Sequence, residues 1–302
     1  MLKKIIYGLM LLILLPLVAY LSAVYQNNRG LEYPSRAALQ QSLQRSVQWL
    51  QANQDSVVSQ TNPMLWWMLY EASDLHADPV LSELLQTYQQ SHPQIMQSAW
   101  SPLFAGQPRT YLDAYSVQGL PYYNQHFIYA LNCASDIAQE IPLVEQQNHA
   151  GFCFQPAYIY RPACITHQLM GVNFLKLKNC NLLPNIDQVI HALQQSIETQ
   201  LFWDVRVVDV YLQRVLMLLI SGAETQVRPV WIQQVLDHQL ADGGWGADVP
   251  LLNLGNRSIA FTGKGVGLRP AETQLTSNFH TTAQGVFILS YLLQSELAAI
   301  PD

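Results

Sequence analysis

Charged side chains are scarce in this chain. Lys, Arg, Asp and Glu together make up 12% of its 302 residues, about half of the usual fraction for a soluble protein. The net charge is −6, and no basic cluster occurs beyond the first four residues. Proteins that bind nucleic acid need such a cluster to neutralise phosphates. The composition therefore excludes nucleic acid as a partner.

Motifs of several common enzyme classes are also missing. No G-x-S-x-G segment occurs, so the nucleophile turn of many serine hydrolases is absent. The glycine-rich segment Thr262–Pro270 (TGKGVGLRP) lacks the G-K-[ST] end of a phosphate-binding loop. We expect this segment to be a flexible lid instead.

Cysteine is rare, and its four copies are close together in sequence: Cys133, Cys153, Cys164 and Cys180. An even number in an exported protein predicts two disulfides, with three possible pairings that sequence does not separate. The alternative is a metal site that uses Cys164 and His167, although a second ligand pair at zinc-finger spacing is absent.

One long apolar run stands out against this background. Ile5–Tyr25 follows Lys3 and Lys4, and its twenty-one residues would reach about 31 Å as a helix, enough to cross a bilayer core. The lysines favour a cytoplasmic N-terminus. We therefore predict a single-pass anchor in the inner membrane, with the main domain in the periplasm and the lipid bilayer as a partner. A cleaved signal peptide is the alternative, but Leu21 fits poorly at the third position before a cleavage at Ala23.

Apolar residues recur at helical spacing almost everywhere after the anchor. Ser35 is a predicted cap for a helix that continues to about Asn53. Further helices are predicted at about 63–72, 79–90, 124–139, 165–178, 185–200, 207–221, 228–240 and 277–297. Amphipathic helices alternate with helices that are apolar all round, which is typical of an outer and an inner layer. We predict an all-α fold, an (α/α) toroid at 29–302 after an anchor at 1–28.

A repeat supports this architecture. The starts of the apolar helices align on His126, His167, Asp209 and His280, at spacings of 41, 42 and 71 residues. A glycine-rich insertion at about 241–270 accounts for the longer last interval. A period near 42 is typical of helical-pair repeats, and an open solenoid is the alternative to a closed ring.

Two segments resemble a known superfamily. Asp237–Gly246 (DHQLADGGWG), followed by His280–Leu293 (HTTAQGVFILSYLL), is similar to a repeat of the prenyltransferase and squalene-cyclase superfamily. The resemblance implies an (α/α) toroid fold. It does not extend to activity, because the D-x-D-D acid motif of the cyclases and the Asp-x-Cys zinc ligands of the prenyltransferases have no counterpart here.

The four aligned residues form the candidate site. In a closed ring, inner helices begin at one end, which we call the mouth, so His126, His167, Asp209 and His280 would converge there. Three imidazoles and a carboxylate suit zinc, copper or iron. We therefore predict a metal-dependent enzyme, with Asp209 and the neighbouring Gln168 as catalytic residues and an unknown reaction.

Two other functions stay open. Several helix N-termini at one mouth favour an anion, so the domain could be a binding module for a lipid, a peptide or an anionic ligand, or bind a membrane protein. Toroids also serve carbohydrate chemistry, which needs two carboxylates. Candidate carboxylates are Asp113, Asp204, Asp209 and Asp242, and candidate stacking residues are Tyr111, Tyr115, Tyr122, Tyr123, Tyr158 and Tyr160.

Overall fold

The computed structural model describes residues 2–105, 112–270, 276–295 and 297. These residues are mostly helical, which confirms the predicted class at that level. The α-helices are α1 (Leu2–Asn28), α2 (Arg36–Ala52), α3 (Gln54–Val58), α4 (Pro63–Leu75), α5 (Pro79–Ser91), α6 (Pro93–Met96), α7 (Pro102–Ala105), α8 (Ala114–Gln118), α9 (Tyr122–Asn132), α10 (Ser135–Glu140), α11 (Pro142–Gln146), α12 (Cys164–Leu177), α13 (Ile186–Trp203), α14 (Asp209–Ile220), α15 (Pro229–Asp237) and α16 (Phe279–Gln294). Short 3-10 helices span Phe152–Phe154 and Glu224–Gln226.

Local chemistry explains where several helices begin and end. Ser35 caps α2 as predicted, its hydroxyl accepting a hydrogen bond from the Ala38 amide at 3.2 Å. The helix predicted over 124–139 is instead divided into α9 and α10. Cys133 lies between them in the left-handed conformation, with φ of 49°, and this conformation ends an α-helix.

Helix α1 is attached to the domain by its C-terminal part. The amide of Asn27 donates to the Leu201 carbonyl at 2.7 Å, and the Tyr20 hydroxyl donates to the carbonyl of Trp203, the last residue of α13, at 2.8 Å. As α1 is followed from Asn27 back to Tyr20, its hydrogen-bond partner on α13 therefore shifts to the last residue of that helix. The apolar side chains described before Tyr20 are exposed: Met10, Leu12, Ile13, Leu14, Leu15, Leu17 and Val18. No described helix has the length and hydropathy of a membrane span.

Five apolar helices lie side by side, and their first turns meet. Trp66 of α4 contacts Phe279 of α16 edge to face, with ring centroids 5.4 Å apart. At the next boundary, His280 of α16 contacts Asp209, the first residue of α14. These contacts place the starts of α4, α16 and α14 at the same end.

The series of neighbouring helices continues from α14 to α12 and then to α9. The Thr166 hydroxyl of α12 donates to Gln213 Oε1 of α14 at 2.7 Å, and Tyr123 of α9 stacks on His167 of α12. At the opposite end, the Cys133–Cys180 disulfide joins the residues that follow α9 and α12. Helix α7 contacts both α9 and α4, the two ends of this series.

Amphipathic helices pack outside the apolar ones. Helix α2 packs on α16, α5 on α4, α15 on α14, and α13 on both α12 and α14. The predicted alternation of inner and outer helices thus agrees with the contacts. Trp67 contacts both Phe174 of α12 and Phe287 of α16, so aromatic side chains fill the space between the inner helices.

The DGGWG segment ties α15, α2 and α16 together. Asp242 accepts hydrogen bonds from the Gly244 amide, the Ser277 hydroxyl and the Trp49 indole. Gly243 has φ of +99°, and a Cβ there would lie 2.3 Å from the Arg45 carbonyl oxygen, so this turn requires glycine.

Trp245 carries the same arrangement to the start of α16. Its amide donates to Thr282 Oγ1 and its carbonyl accepts from the Asn278 amide. Its ring lies against Gly285, where a Cβ would be 2.5 Å from the indole. The segment therefore fixes the position of α16, and with it His280.

The predicted lid forms a sheet instead. Strands β1 (Val249–Asn253), β2 (Arg257–Thr262) and β3 (Gly265–Pro270) are antiparallel in the order β1-β2-β3. Gly255 and Gly265 have φ of +81° and +135° at the two connections, a conformation that glycine adopts without strain. In β2, the sequence S-I-A-F-T alternates small or polar residues with large apolar ones, which is a strand pattern. The glycine-rich composition of the surrounding segment hid this pattern in the sequence.

Candidate functional site

Asp209 and His280 form the centre of the candidate site. His280 Nδ1 lies 2.7 Å from Asp209 Oδ1, and the two side chains are 24% and 40% exposed for Asp209 and His280, respectively. Asp209 is the first residue of α14 and His280 the second of α16. A helix N-terminus favours a negative charge, so the position stabilises the Asp209 carboxylate. No described residue hydrogen-bonds Nε2 of His280, which leaves that nitrogen able to exchange protons.

Two further side chains of α16 hold the Asp209 carboxylate. Thr281 Oγ1 and Gln284 Nε2 lie 3.4 and 3.2 Å from its Oδ1. The side chain of Asn278 caps α16 by accepting from the Thr281 amide at 2.9 Å. Gln284 is buried, and its Oε1 has no partner among the described residues.

Asp209 and His280 each favour the charged form of the other. Burial alone would raise the pKa of Asp209, but the hydrogen bond and charge of His280 outweigh burial and lower that pKa. Burial would lower the pKa of His280, but the hydrogen bond and charge of Asp209 raise it instead. At neutral pH the pair is therefore an ionised carboxylate beside a histidine that is readily protonated.

His167 lies beside this pair as a neutral ring. Its centroid is 4.2 Å from that of Tyr123, in a parallel stack. Its Nε2 is 3.2 Å from Gln213 Nε2, which donates because Gln213 Oε1 accepts from Thr166. Burial, and secondarily the charge of His280, lower the pKa of His167 to about 4.

His126 occupies a different environment. It is fully buried, and its Nε2 lies 2.9 Å from Asn148 Oδ1. Its ring packs against Gly171 of α12, one turn beyond His167, where a Cβ would be 2.2 Å from Nδ1. Burial lowers the pKa of His126 to about 4, although the hydrogen bond with Asn148 opposes this effect. His126 is therefore a neutral ring in the interior, and its Nδ1 has no hydrogen-bond partner among the described residues.

Gln168 is also committed to the fold. It is buried, and its amide nitrogen donates to the carbonyls of Gln147 and His149, both at 2.7 Å. It therefore holds the segment after α11 against α12. We do not include this predicted catalytic residue in the candidate site.

The four predicted metal ligands are placed as follows. Among the described residues, no three His, Cys, Asp or Glu side chains are arranged to hold a metal ion. Of the four predicted ligands, the structure pairs Asp209 with His280, and Nε2 of His126 and of His167 already has a partner. The alternative site at Cys164 is wrong, because Cys164 forms a disulfide with Cys153.

The other candidate carboxylates have structural partners. Asp204 is 2.7 Å from Arg214. Asp242 holds the DGGWG turn, and Asp113 accepts from the Tyr115 amide at the start of α8. Each of these three carboxylates is thus held by a neighbouring group of the fold.

Three of the candidate stacking tyrosines are in contact, because Tyr122 touches both Tyr123 and Tyr158, and the others lie apart from them or outside the described residues. Tyr122 and Tyr158 contact each other, and the Arg161 guanidinium lies 5.2 Å from both rings. Tyr115 and Tyr160 are exposed, and Tyr111 lies outside the described residues. Tyr123 alone of these stacks on a residue beside the Asp209 pair, so a sugar-stacking surface gains no support.

Sequence reasoning missed Thr281, Gln284 and Gln213. The signal was present, because Gln284 is four residues after His280 and Gln213 four after Asp209, and residues four apart share a helix face.

Comparisons with protein families, with curated proteins and with solved structures gave no match to this chain.

Proposed function

We propose that this protein is a membrane-anchored (α/α) toroid in the periplasm, and that its mouth carries an acid–base catalytic pair acting on an amphiphilic substrate from the bilayer. The observation that carries the proposal is the contact between Asp209 and His280, with Nε2 of His280 left for proton exchange.

The order of the inner helices supports the toroid. Their first turns contact one another in the series α4, α16, α14, α12 and α9, and α7 contacts both ends. Neighbouring helices that start at one end need a return helix between them, and α13 and α15 are such outer helices. A ring of outer and inner pairs satisfies all of these contacts.

The disulfides and the sequence of α1 support the location. Disulfides persist in oxidising compartments, which in bacteria is the periplasm, and Cys133–Cys180 and Cys153–Cys164 use all four cysteines. Ile5–Tyr25 is apolar after Lys3 and Lys4. A lipid bilayer would bury the exposed apolar side chains of α1.

The attachment of α1 determines which end of the ring faces the membrane. Trp203 ends α13 and Asp209 begins α14, so the short segment between them lies at the mouth. Helix α1 leaves the domain at Trp203, and its remaining residues continue away from the ring. The mouth therefore faces the bilayer that holds α1, and lipids or lipid-linked molecules are the nearest substrates.

The geometry gives each member of the pair a separate role. Asp209 accepts from Nδ1 of His280, which orients the ring and stabilises its protonated form, as the aspartate does in a catalytic triad. Nε2 then gives a proton to a leaving group or takes one from water or a substrate hydroxyl. Gln284 donates to the Asp209 carboxylate from the interior and so helps to hold it in place.

One specific observation favours an alternative function, the binding of an anionic lipid without reaction. Protonated His280 lies where helix N-termini meet, and both features attract anions. A lipid phosphate could therefore bind at the mouth without reaction.

A comparison of full-length variants tests the proposal. The protein is reconstituted in vesicles of bacterial polar lipid, and lipid products are followed by mass spectrometry. We expect product formation in the wild type and in His191→Gln, a control on the exposed side of α13, slower product formation in Asp209→Asn, and none in His280→Gln. Saturable lipid binding without products in any variant would favour the binding module.

A further inference from the structure

The three-stranded sheet has its apolar side chains on the outside. In β2, Ser258, Ala260 and Thr262 are buried against the protein. Ile259 and Phe261 alternate with them and therefore face the opposite way. A sheet that covers a soluble domain shows the reverse pattern, with its large apolar residues inside. The outer face thus needs something apolar against it.

Strand pairing extends this apolar face across the sheet. Ile259 is paired with Leu252 on one side and Leu268 on the other, and Phe261 with Val266. Leu252, Val266 and Leu268 are 55%, 65% and 52% exposed. We call Leu252, Ile259, Phe261, Val266 and Leu268 the outer face. The neighbouring Leu251 and Leu254 are also exposed.

The outer face is continuous with the base of α1. Phe261, Tyr20 and Trp203 line one shallow cleft, and Arg206 Nη1 donates to the Thr262 carbonyl at 3.2 Å. Trp203 is exposed beside them, and tryptophan is enriched where proteins meet the headgroup region. The sheet therefore lies where the exposed apolar part of α1 begins.

The charge of the segment suits an anionic lipid surface. Residues 249–270 contain Arg257, Lys264 and Arg269 and no acidic residue, in a chain whose net charge is −6. Arg257 and Lys264 are exposed, and Arg269 is paired with Asp248. Basic residues near a bilayer are attracted to anionic headgroups.

We propose that the outer face inserts into the surface of the bilayer that holds α1, with Arg257 and Lys264 among anionic headgroups. This docking rests on the anchoring of α1 proposed above, and it gives the ring a second contact with the membrane. With two contacts, the mouth is held against the bilayer instead of turning freely about α1.

Photolabelling from within the bilayer tests the docking. Full-length protein is reconstituted in phosphatidylcholine and phosphatidylglycerol vesicles that contain a phospholipid with a diazirine in its acyl chain. After illumination, labelled residues are mapped by mass spectrometry. We expect labels on α1 and on residues 249–270, and a loss of the second set in Leu252→Ser/Val266→Ser/Leu268→Ser. The control Ile159→Ser/Tyr160→Ser/Leu177→Ser changes apolar residues elsewhere that are 53%, 91% and 61% exposed, and it should keep both sets.

Each other outcome has one meaning. Labels on α1 without labels on 249–270 overturn the docking and leave the anchor intact. Absence of labels on α1 contradicts the anchor itself. If 249–270 is unlabelled and a separate bifunctional amine reagent joins two copies of the chain through Lys264, the outer face is a dimer interface and the docking is overturned.

Discussion

His280 of α16 contacts Asp209 of α14, with 2.7 Å between Nδ1 and Oδ1. The contact joins two helices that begin 70 residues apart in sequence, and the His280 side chain remains 40% exposed.

Replacing Asp209 with Asn should lower the pKa of His280. The Asp209 charge and hydrogen bond raise that pKa in the folded protein, and a neutral amide removes the charge. The pair stabilises the folded protein in full between the unfolded pKa of Asp209 and the unfolded pKa of His280. This stabilisation is lost as pH falls through the folded pKa of Asp209 or rises through the folded pKa of His280. NMR titration of the His280 ring should show the shift, and His191→Gln should leave it unchanged.

Acid should destabilise the fold through His126. Its folded pKa is about 4 against 6.5 unfolded, so the unfolded state binds more protons between these values. Stability is therefore full above pH 6.5 and falls as pH drops to 4, by about 3 kcal/mol for this residue. Denaturant unfolding at several pH values should show a smaller loss in His126→Gln, and an equal loss would contradict this cause.

Gly285 should not accept a side chain. A Cβ there would lie 2.5 Å from the Trp245 ring, so Gly285→Ala should cost about 1–3 kcal/mol by overpacking. It should also change the titration of His280, because Trp245 positions α16. Gly119→Ala, where a Cβ meets nothing within 4 Å, should leave both quantities unchanged.

The two disulfides should differ in their contribution to stability. Their cysteines are 47 residues apart in Cys133–Cys180 and 11 in Cys153–Cys164. Closing the longer loop removes more entropy from the unfolded chain, so the losses should be about 4 and about 3 kcal/mol. Denaturant unfolding of the two double Cys→Ser variants measures both, and the reverse order would contradict the entropic account.

Sequence periodicity predicted the helices well because burial patterns are local. The predicted helix from Ser35 to about Asn53 was correct for that reason. The division of the predicted 124–139 helix was missed, because the left-handed Cys133 depends on a disulfide to distant Cys180. The sheet was missed because its outer face is apolar, the opposite of the usual burial signal.

The site was predicted in part. Aligning helix starts correctly placed Asp209 and His280 at one end, since equivalent positions of a repeat share an environment. It could not separate His126 and His167 from them, because their partners Asn148 and Gln213 come from other elements. Tertiary hydrogen bonds decide which histidine keeps a nitrogen available.

The pH profile of lipid turnover tests the central claim most directly. Full-length wild type, Asp209→Asn and His280→Gln are compared in vesicles across pH 4–9. If the pair carries the reaction, His280→Gln has no turnover, and the limb of the profile set by His280 moves to lower pH in Asp209→Asn. Turnover that persists in His280→Gln, or a profile that is identical in wild type and Asp209→Asn, would contradict the account.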